Sequence, residues 1–136
     1  MKLFIVDASV AVKWLIPENG SVAAAQFLES DAAIIAPAWL LAEVANILWK
    51  HVRAGDLTPS EASQRLRVIR HLEPCLVAHE VVLERAFDLA VALNHPVYDT
   101  LYLALAERMD GVMITADNKF VQKVSATRWA RYVQAL

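Results

Sequence analysis

Leu3-Phe4-Ile5-Val6-Asp7-Ala8-Ser9-Val10 is the stretch on which the reading of the fold turns. Four apolar residues run together without polar alternation, the pattern of a short strand covered on both faces in a parallel sheet. Asp7 follows at once, a carboxylate at the end of a buried strand, where charge is costly unless something compensates it. Ser9 is placed to cap the short helix that comes next.

Outward from this start, strand-like and helix-like segments alternate. Gly20-Ser21 and the apolar pattern through Leu28 suggest a helix, and Ala32 to Ala36 reads as a second buried strand ending at Pro37. Residues 38–53 carry Leu40, Leu41, Val44, Ile47, Leu48 and Val52 at helical spacing, with Gly55 near the end. Thr58-Pro59-Ser60-Glu61 supplies an N-cap, a proline at the first helical position and a capping-box glutamate, launching a helix to about Leu72. Val82, Ala86, Leu89 and Leu93 mark another helix. After a turn at Asn94-His95-Pro96, Tyr98, Leu101, Tyr102 and Leu105 mark the next, and both pack one face on a core. Val112 to Thr115 reads as a third buried strand, Asp117 to Val124 as a short helix, and Trp129 to Val133 as a last strand. The alternation predicts an α/β fold of three layers, helices on both faces of a mostly parallel sheet. With three glycines, no repeat and no linker-like tract, one domain over 1–136 is expected.

Composition narrows the function classes. Hydrophobic residues make up 57% of the chain, yet no apolar stretch approaches the roughly 20 residues of a membrane span. Met1-Lys2 leads directly into the first strand without the pattern of a secretory signal, so a cytoplasmic location is expected. The single cysteine, Cys75, has no internal disulfide partner and reads as a small buried hydrophobe. The net charge of −2 argues against a generic polyanion binder. Setting aside four acids discussed next leaves eleven against thirteen Lys and Arg, a remainder of +2 that would not repel a phosphate backbone.

Those four acids are Asp7, Glu43, Asp99 and Asp117. Asp7 and Asp117 follow strands, while Glu43 and Asp99 lie near helix starts. All four fall on the rim beyond the carboxyl ends of parallel strands, where ligands of such sheets collect. Oxygen-only ligands suit a hard cation, Mg²⁺ or Mn²⁺, rather than zinc. Each acid also has a plainer role open to it. Asp7, Asp99 and Asp117 can serve helix starts, and Glu43, on the flank of its helix's apolar face between Trp39 and Ile47, can pair with an arginine. Two metal ions held by such a cluster suit phosphodiester hydrolysis, one acidifying water and one stabilising the leaving oxygen. The products would be a 3′-hydroxyl and a 5′-phosphate.

The segments Ile5-Val6-Asp7-Ala8-Ser9-Val10-Ala11-Val12-Lys13-Trp14-Leu15, Pro37-Ala38-Trp39-Leu40-Leu41-Ala42-Glu43-Val44-Ala45-Asn46, Tyr98-Asp99-Thr100-Leu101-Tyr102-Leu103-Ala104-Leu105-Ala106 and Ile114-Thr115-Ala116-Asp117 together resemble a PIN-domain protein. The likeness is to VapC-type toxins of toxin–antitoxin pairs, and it covers nearly the whole chain. It implies a PIN fold and an Mg²⁺- or Mn²⁺-dependent endoribonuclease with Asp7, Glu43, Asp99 and Asp117 as the catalytic metal-binding quartet. Ser9 and Thr115 stand where the family often has hydroxyl residues and are carried over as supporting residues. Thr100 replaces the alanine many relatives show after the third acid. The resemblance also implies an RNA substrate, a cognate antitoxin and a homodimer, the antitoxin helix filling an apolar groove.

Lys13 and Lys119 lie close in sequence to Asp7 and Asp117. Arg67, Arg70 and His71 share a helix face, and Lys50 and Arg53 close the preceding helix, so these are the groups placed to meet phosphates, with an ordinary solvated face as the alternative. The histidines at 51, 71, 79 and 95 are scattered, which disfavours a histidine base or zinc centre. Trp14, Trp39 and Trp49 read as core before base-stacking platforms. Two other readings stand beside the nuclease: a different Asp-based phosphoryl-transfer enzyme, whose second early acid is here Ser9, and a catalytically silent binding module of the same fold.

Overall fold

The computed structural model describes residues 2–72 and 75–136. Its strands are β1 (Leu3–Val6), β2 (Ala33–Pro37), β3 (Cys75–Val77), β4 (Val112–Thr115) and β5 (Val133–Ala135). They form one sheet of order β3-β2-β1-β4-β5, and every neighbouring pair is parallel. The central place of β1 explains its unbroken apolar run. Ile5 joins Ile35 and Met113 in one core, while Phe4 and Val6 join Ile34 and Ile114 in another on the opposite face.

The helices are α1 (Ala8–Ala11), α2 (Ser21–Glu29), α3 (Trp39–Ala54), α4 (Pro59–Leu72), α5 (Leu83–Leu93), α6 (Val97–Met109) and α7 (Asn118–Ser125). The larger core takes Leu40, Val44 and Leu48 from α3, Leu89 from α5 and Leu101 to Ala106 from α6, which packs on β1, β2 and β4. The smaller core takes Ala24 and Phe27 from α2, with the Phe27 ring edge-on to Phe4 at 5.0 Å between centroids. Trp14 closes this side by donating its indole N–H to Ala24 O at 2.8 Å. The expected three layers are present, and among the described residues no helix is long and apolar enough to cross a membrane.

Local rules shape the connections. Thr58 and Glu61 form the reciprocal capping box, Glu61 N donating to Thr58 Oγ1 at 3.1 Å and Thr58 N to Glu61 Oε1 at 3.2 Å. Gly55 ends α3 in the left-handed conformation, φ 84°, that its missing Cβ permits.

Several expectations are corrected. Asp7, not Ser9, is the N-cap of α1; Ser9 lies inside the helix, one residue past its start. The strand β3 went unread because its three residues are few and show no alternation. Cys75 begins that strand and is exposed, since β3 is an edge of the sheet. Near the C-terminus, Ala130–Tyr132 forms a 3₁₀ turn and the strand comes later, at Val133–Ala135. Tyr98 is 52% exposed because it sits in the first turn of α6, before the helix runs beneath the sheet, and Trp49 is 53% exposed on α3 beside α4. Neither belongs to the core.

Candidate active site

The chain leaves β1 toward β2 and β3, then returns to β4 on the other side of β1. This reversal opens a crevice at the carboxyl ends of β1 and β4, the usual ligand position in an open α/β sheet. Asp7 stands directly above it and is 5% exposed. Its Oδ1 accepts from Ser9 Oγ at 2.6 Å and from Val10 N at 3.2 Å, and its Oδ2 accepts from Thr115 Oγ1 at 2.5 Å. Ser9 Oγ accepts in turn from Ala116 N at 2.9 Å, and Thr115 Oγ1 from Asp117 N at 3.1 Å. Two hydroxyls thus tie the end of β1 to the end of β4.

The other acids approach from helices. Glu43, one turn into α3, accepts from the buried Tyr102 hydroxyl at Oε1, 2.6 Å away. Asp99, in the first turn of α6, holds its Oδ2 2.6 Å from His95 Nε2. Lys123 Nζ lies 3.2 Å from His95 Nδ1 and 3.1 Å from Asn94 O. Because an ammonium only donates, Nδ1 accepts, so Nε2 carries the proton given to Asp99. Asp117 caps α7, its Oδ1 accepting from Lys119 N at 3.1 Å and Phe120 N at 3.2 Å. Among the described residues, Glu43 Oε2, Asp99 Oδ1 and Asp117 Oδ2 accept no hydrogen bond from the protein.

Burial dominates the electrostatics, and charge repulsion adds to it. Asp7 is pushed up to about 6, first by desolvation and slightly by the Asp99 charge, against the lowering effect of its hydrogen bonds to Ser9, Thr115 and Val10. Glu43 rises to about 7, chiefly through desolvation, with the charges of Asp7 and Asp99 adding to it and the Tyr102 hydrogen bond opposing it. The Tyr102 hydroxyl is raised well above its ordinary value by burial and by Glu43. Among the described residues no lysine or arginine pairs with any of the four acids, so the arginine partner considered for Glu43 is replaced by a tyrosine.

Asp7, Glu43 and Asp99 therefore share one field, whereas Asp117 joins the rim through the backbone that Thr115 holds. Among the described residues, no three His, Cys, Asp or Glu side chains already converge on a common point at ligating distance. Ser9 and Thr115 both touch Asp7. Thr100 instead anchors α6 to α5, its buried hydroxyl 2.7 Å from Ala86 O. Lys13 is bound to Glu18 at 3.0 Å, which removes it as a free cation beside Asp7, while Lys119, Arg67, Arg70 and His71 are exposed. Sequence reasoning missed Tyr102 and His95. The i, i+4 spacing of His95 to Asp99 was the available signal, hidden by the intervening Pro96 turn; Tyr102 carried none, since its partner is 59 residues away.

With this geometry in place, comparison with known proteins is direct. The PIN domain profile matches residues 4–124. Ribonuclease VapC3 of Pyrobaculum aerophilum is 37% identical over 128 residues, 93% of this chain and 97% of that protein. The chain belongs to the PIN-domain family, on its VapC-type branch. Ribonuclease VapC1 of Mycobacterium tuberculosis is 28% identical over 117 residues, 85% of this chain and 86% of that protein. Two crystal structures share the fold. PAE2754 from Pyrobaculum aerophilum superposes with a TM-score of 0.75 at 20% identity, over 98% of this chain and 89% of that one. VapBC2 from Rickettsia felis, bound to a DNA fragment from its promoter, gives 0.67 at 9% identity, over 98% of both chains.

Proposed function

We propose that this chain is a divalent-metal-dependent endoribonuclease, the toxin of a toxin–antitoxin pair, working as one domain in the cytoplasm. The observation that carries the reading is a set of acids at the crevice, in which the Asp99 charge adds to the raised proton affinity of Asp7 and Glu43 and, among the described residues, no lysine or arginine pairs with them. Its relatives named as VapC ribonucleases support it.

The residues fit a hard cation. Asp7, Glu43, Asp99 and Asp117 offer oxygen donors only, and three of them keep one oxygen without a protein donor among the described residues. Bound there, Mg²⁺ or Mn²⁺ would supply an acidified water and neutralise charge on the leaving oxygen. The chain's own part is orientation. Ser9 and Thr115 hold Asp7 from both sides, Tyr102 holds one oxygen of Glu43, and His95 holds one oxygen of Asp99. Attack of water at phosphorus breaks the bond to O3′, which takes a proton, and leaves a 5′-phosphate on the other fragment.

The antitoxin is proposed to lay a helix in the apolar groove of about 290 Å³ between α3 and α4, lined by Leu48, Trp49, Val52 and Leu66. The exposed row Leu83, Phe87 and Val91 along α5 suits a face between two copies of the chain. The deciding experiment is RNA cleavage by purified protein. Asp7→Asn and Asp99→Asn are each expected to bring cleavage to background while the circular dichroism spectrum is retained, and excess chelator to do the same to the wild type. Full activity in either mutant or in chelator sinks the proposal.

A further inference from the structure

Beside the acids, α3 and the first turn of α6 frame a pocket of about 440 Å³ that the catalytic reading leaves unused. Trp39, Glu43, Asn46 and Lys50 form one stripe along α3, at the spacing of a single helix face, and Tyr98 closes the pocket from α6. One wall is thus the Glu43 carboxylate, and Tyr98 precedes Asp99 in the chain. A molecule lodged here lies next to the crevice.

The aromatic pair is arranged as a platform. The Trp39 and Tyr98 rings stack nearly parallel, 5.2 Å between centroids and 10° between planes, and His79 meets Trp39 at 70° from 5.8 Å away. Trp39 is thereby fixed from two elements, and it fixes Tyr98. Tyr98 itself is 52% exposed, so it keeps surface that the Trp39 stack does not cover. A tyrosine held flat and exposed does little for the core, but it suits an unstacked base, which stacks on aromatic rings whatever its identity. Asn46 adds an amide able to meet a base edge. Lys50, which pairs with no acid among the described residues, adds a cation for the backbone.

We propose that this pocket is a subsite for one splayed base of single-stranded RNA adjoining the cleaved phosphodiester, with the base on the exposed surface of Tyr98 and Lys50 on a neighbouring phosphate. The proposal rests on the ribonuclease reading above and adds to it a demand for unpaired RNA.

The test uses full-length protein, a fluorescent single-stranded RNA oligonucleotide and its duplex form. With cleavage silenced by Asp7→Asn, adding Tyr98→Ala is expected to weaken single-strand binding about five- to a hundredfold, and Tyr98→Trp to restore it. In active protein, Tyr98→Ala is expected to raise KM with kcat little changed, and the duplex to be cut poorly. Wild-type binding and KM in Tyr98→Ala overturn the subsite, as does a loss confined to kcat, which would make Tyr98 a support for Asp99 alone. A shift from dimer to monomer with RNA affinity unchanged also overturns it, assigning the pocket to a second copy. If the wild type neither binds nor cuts RNA, the ribonuclease reading falls with it; if the wild type cuts and Tyr98→Ala behaves identically, only the subsite falls.

Discussion

Asp7 receives three hydrogen bonds that favour its charged form, yet burial outweighs them and its carboxyl holds a proton to about 6 rather than 3.8. The folded chain therefore binds that proton more tightly than the unfolded chain does. The resulting stabilisation is complete below the unfolded value and is lost as pH rises through about 6, reaching about 3 kcal/mol at neutral pH at the usual 1.4 kcal/mol per unit. Glu43, raised to about 7, extends the loss in the same direction. In chelator, thermal denaturation is thus expected to show higher stability at pH 5 than at pH 8. Asp7→Asn, which keeps an acceptor for Ser9 and Val10 and offers Thr115 an N–H, should flatten much of that slope. A metal-free wild type more stable at pH 8 than at pH 5 would contradict the burial argument.

At the scale of elements, capping and function are not alternatives. Asp7 caps α1 with the oxygen that also accepts from Ser9, and Asp117 caps α7 with Oδ1 while leaving Oδ2 unengaged. The structural role aims the carboxylate that the chemistry would use. Packing between β1 and β4 sets a second condition. A Cβ on Gly111, just before β4, would stand 2.7 Å from Ile5 Cδ1 and 2.9 Å from Leu3 O, and the latter is backbone with little room to give. Gly111→Ala is expected to destabilise by about 1–3 kcal/mol, read as a lower midpoint in urea. Because the strain falls on the strand carrying Asp7, cleavage is expected to drop as well.

For the whole molecule, the proposed metal site would make ion binding and stability one problem. The acids would bind a cation only once deprotonated, and the ion would stabilise the folded chain as its occupancy rises. Saturating Mn²⁺ is expected to raise the melting temperature at pH 8 by more than at pH 5, and Asp99→Asn to remove most of the rise. An equal shift at both pH values, or an undiminished one in the mutant, would mean that the ion binds elsewhere. Strand order supplies the scaffold for this coupling, since Asp7 and Asp117 follow the neighbouring strands β1 and β4 at the reversal, and Glu43 and Asp99 approach it from helices.

Much of this was legible in the chain itself. The unalternating run at Leu3 to Val6 read as a doubly covered strand, the Thr58 to Glu61 box set its helix start, and the quartet stood out because four separate placements agreed on one rim. These are signals of spacing, and spacing is local. What needed the tertiary structure were contacts between residues far apart: Tyr102 holding Glu43 across 59 positions, Thr115 holding Asp7 across 108, and the flat stacking of Trp39 on Tyr98. Burial likewise went wrong at Cys75, Tyr98 and Trp49, which residue type or spacing assigns to a core and which an edge strand or an open helix face leaves in water. Sequence determined which side chains could reach the rim of this sheet, because covalent spacing dictates element and face. Only folding decided which of them touch, because that depends on where the chain reverses and brings separate elements within hydrogen-bonding distance.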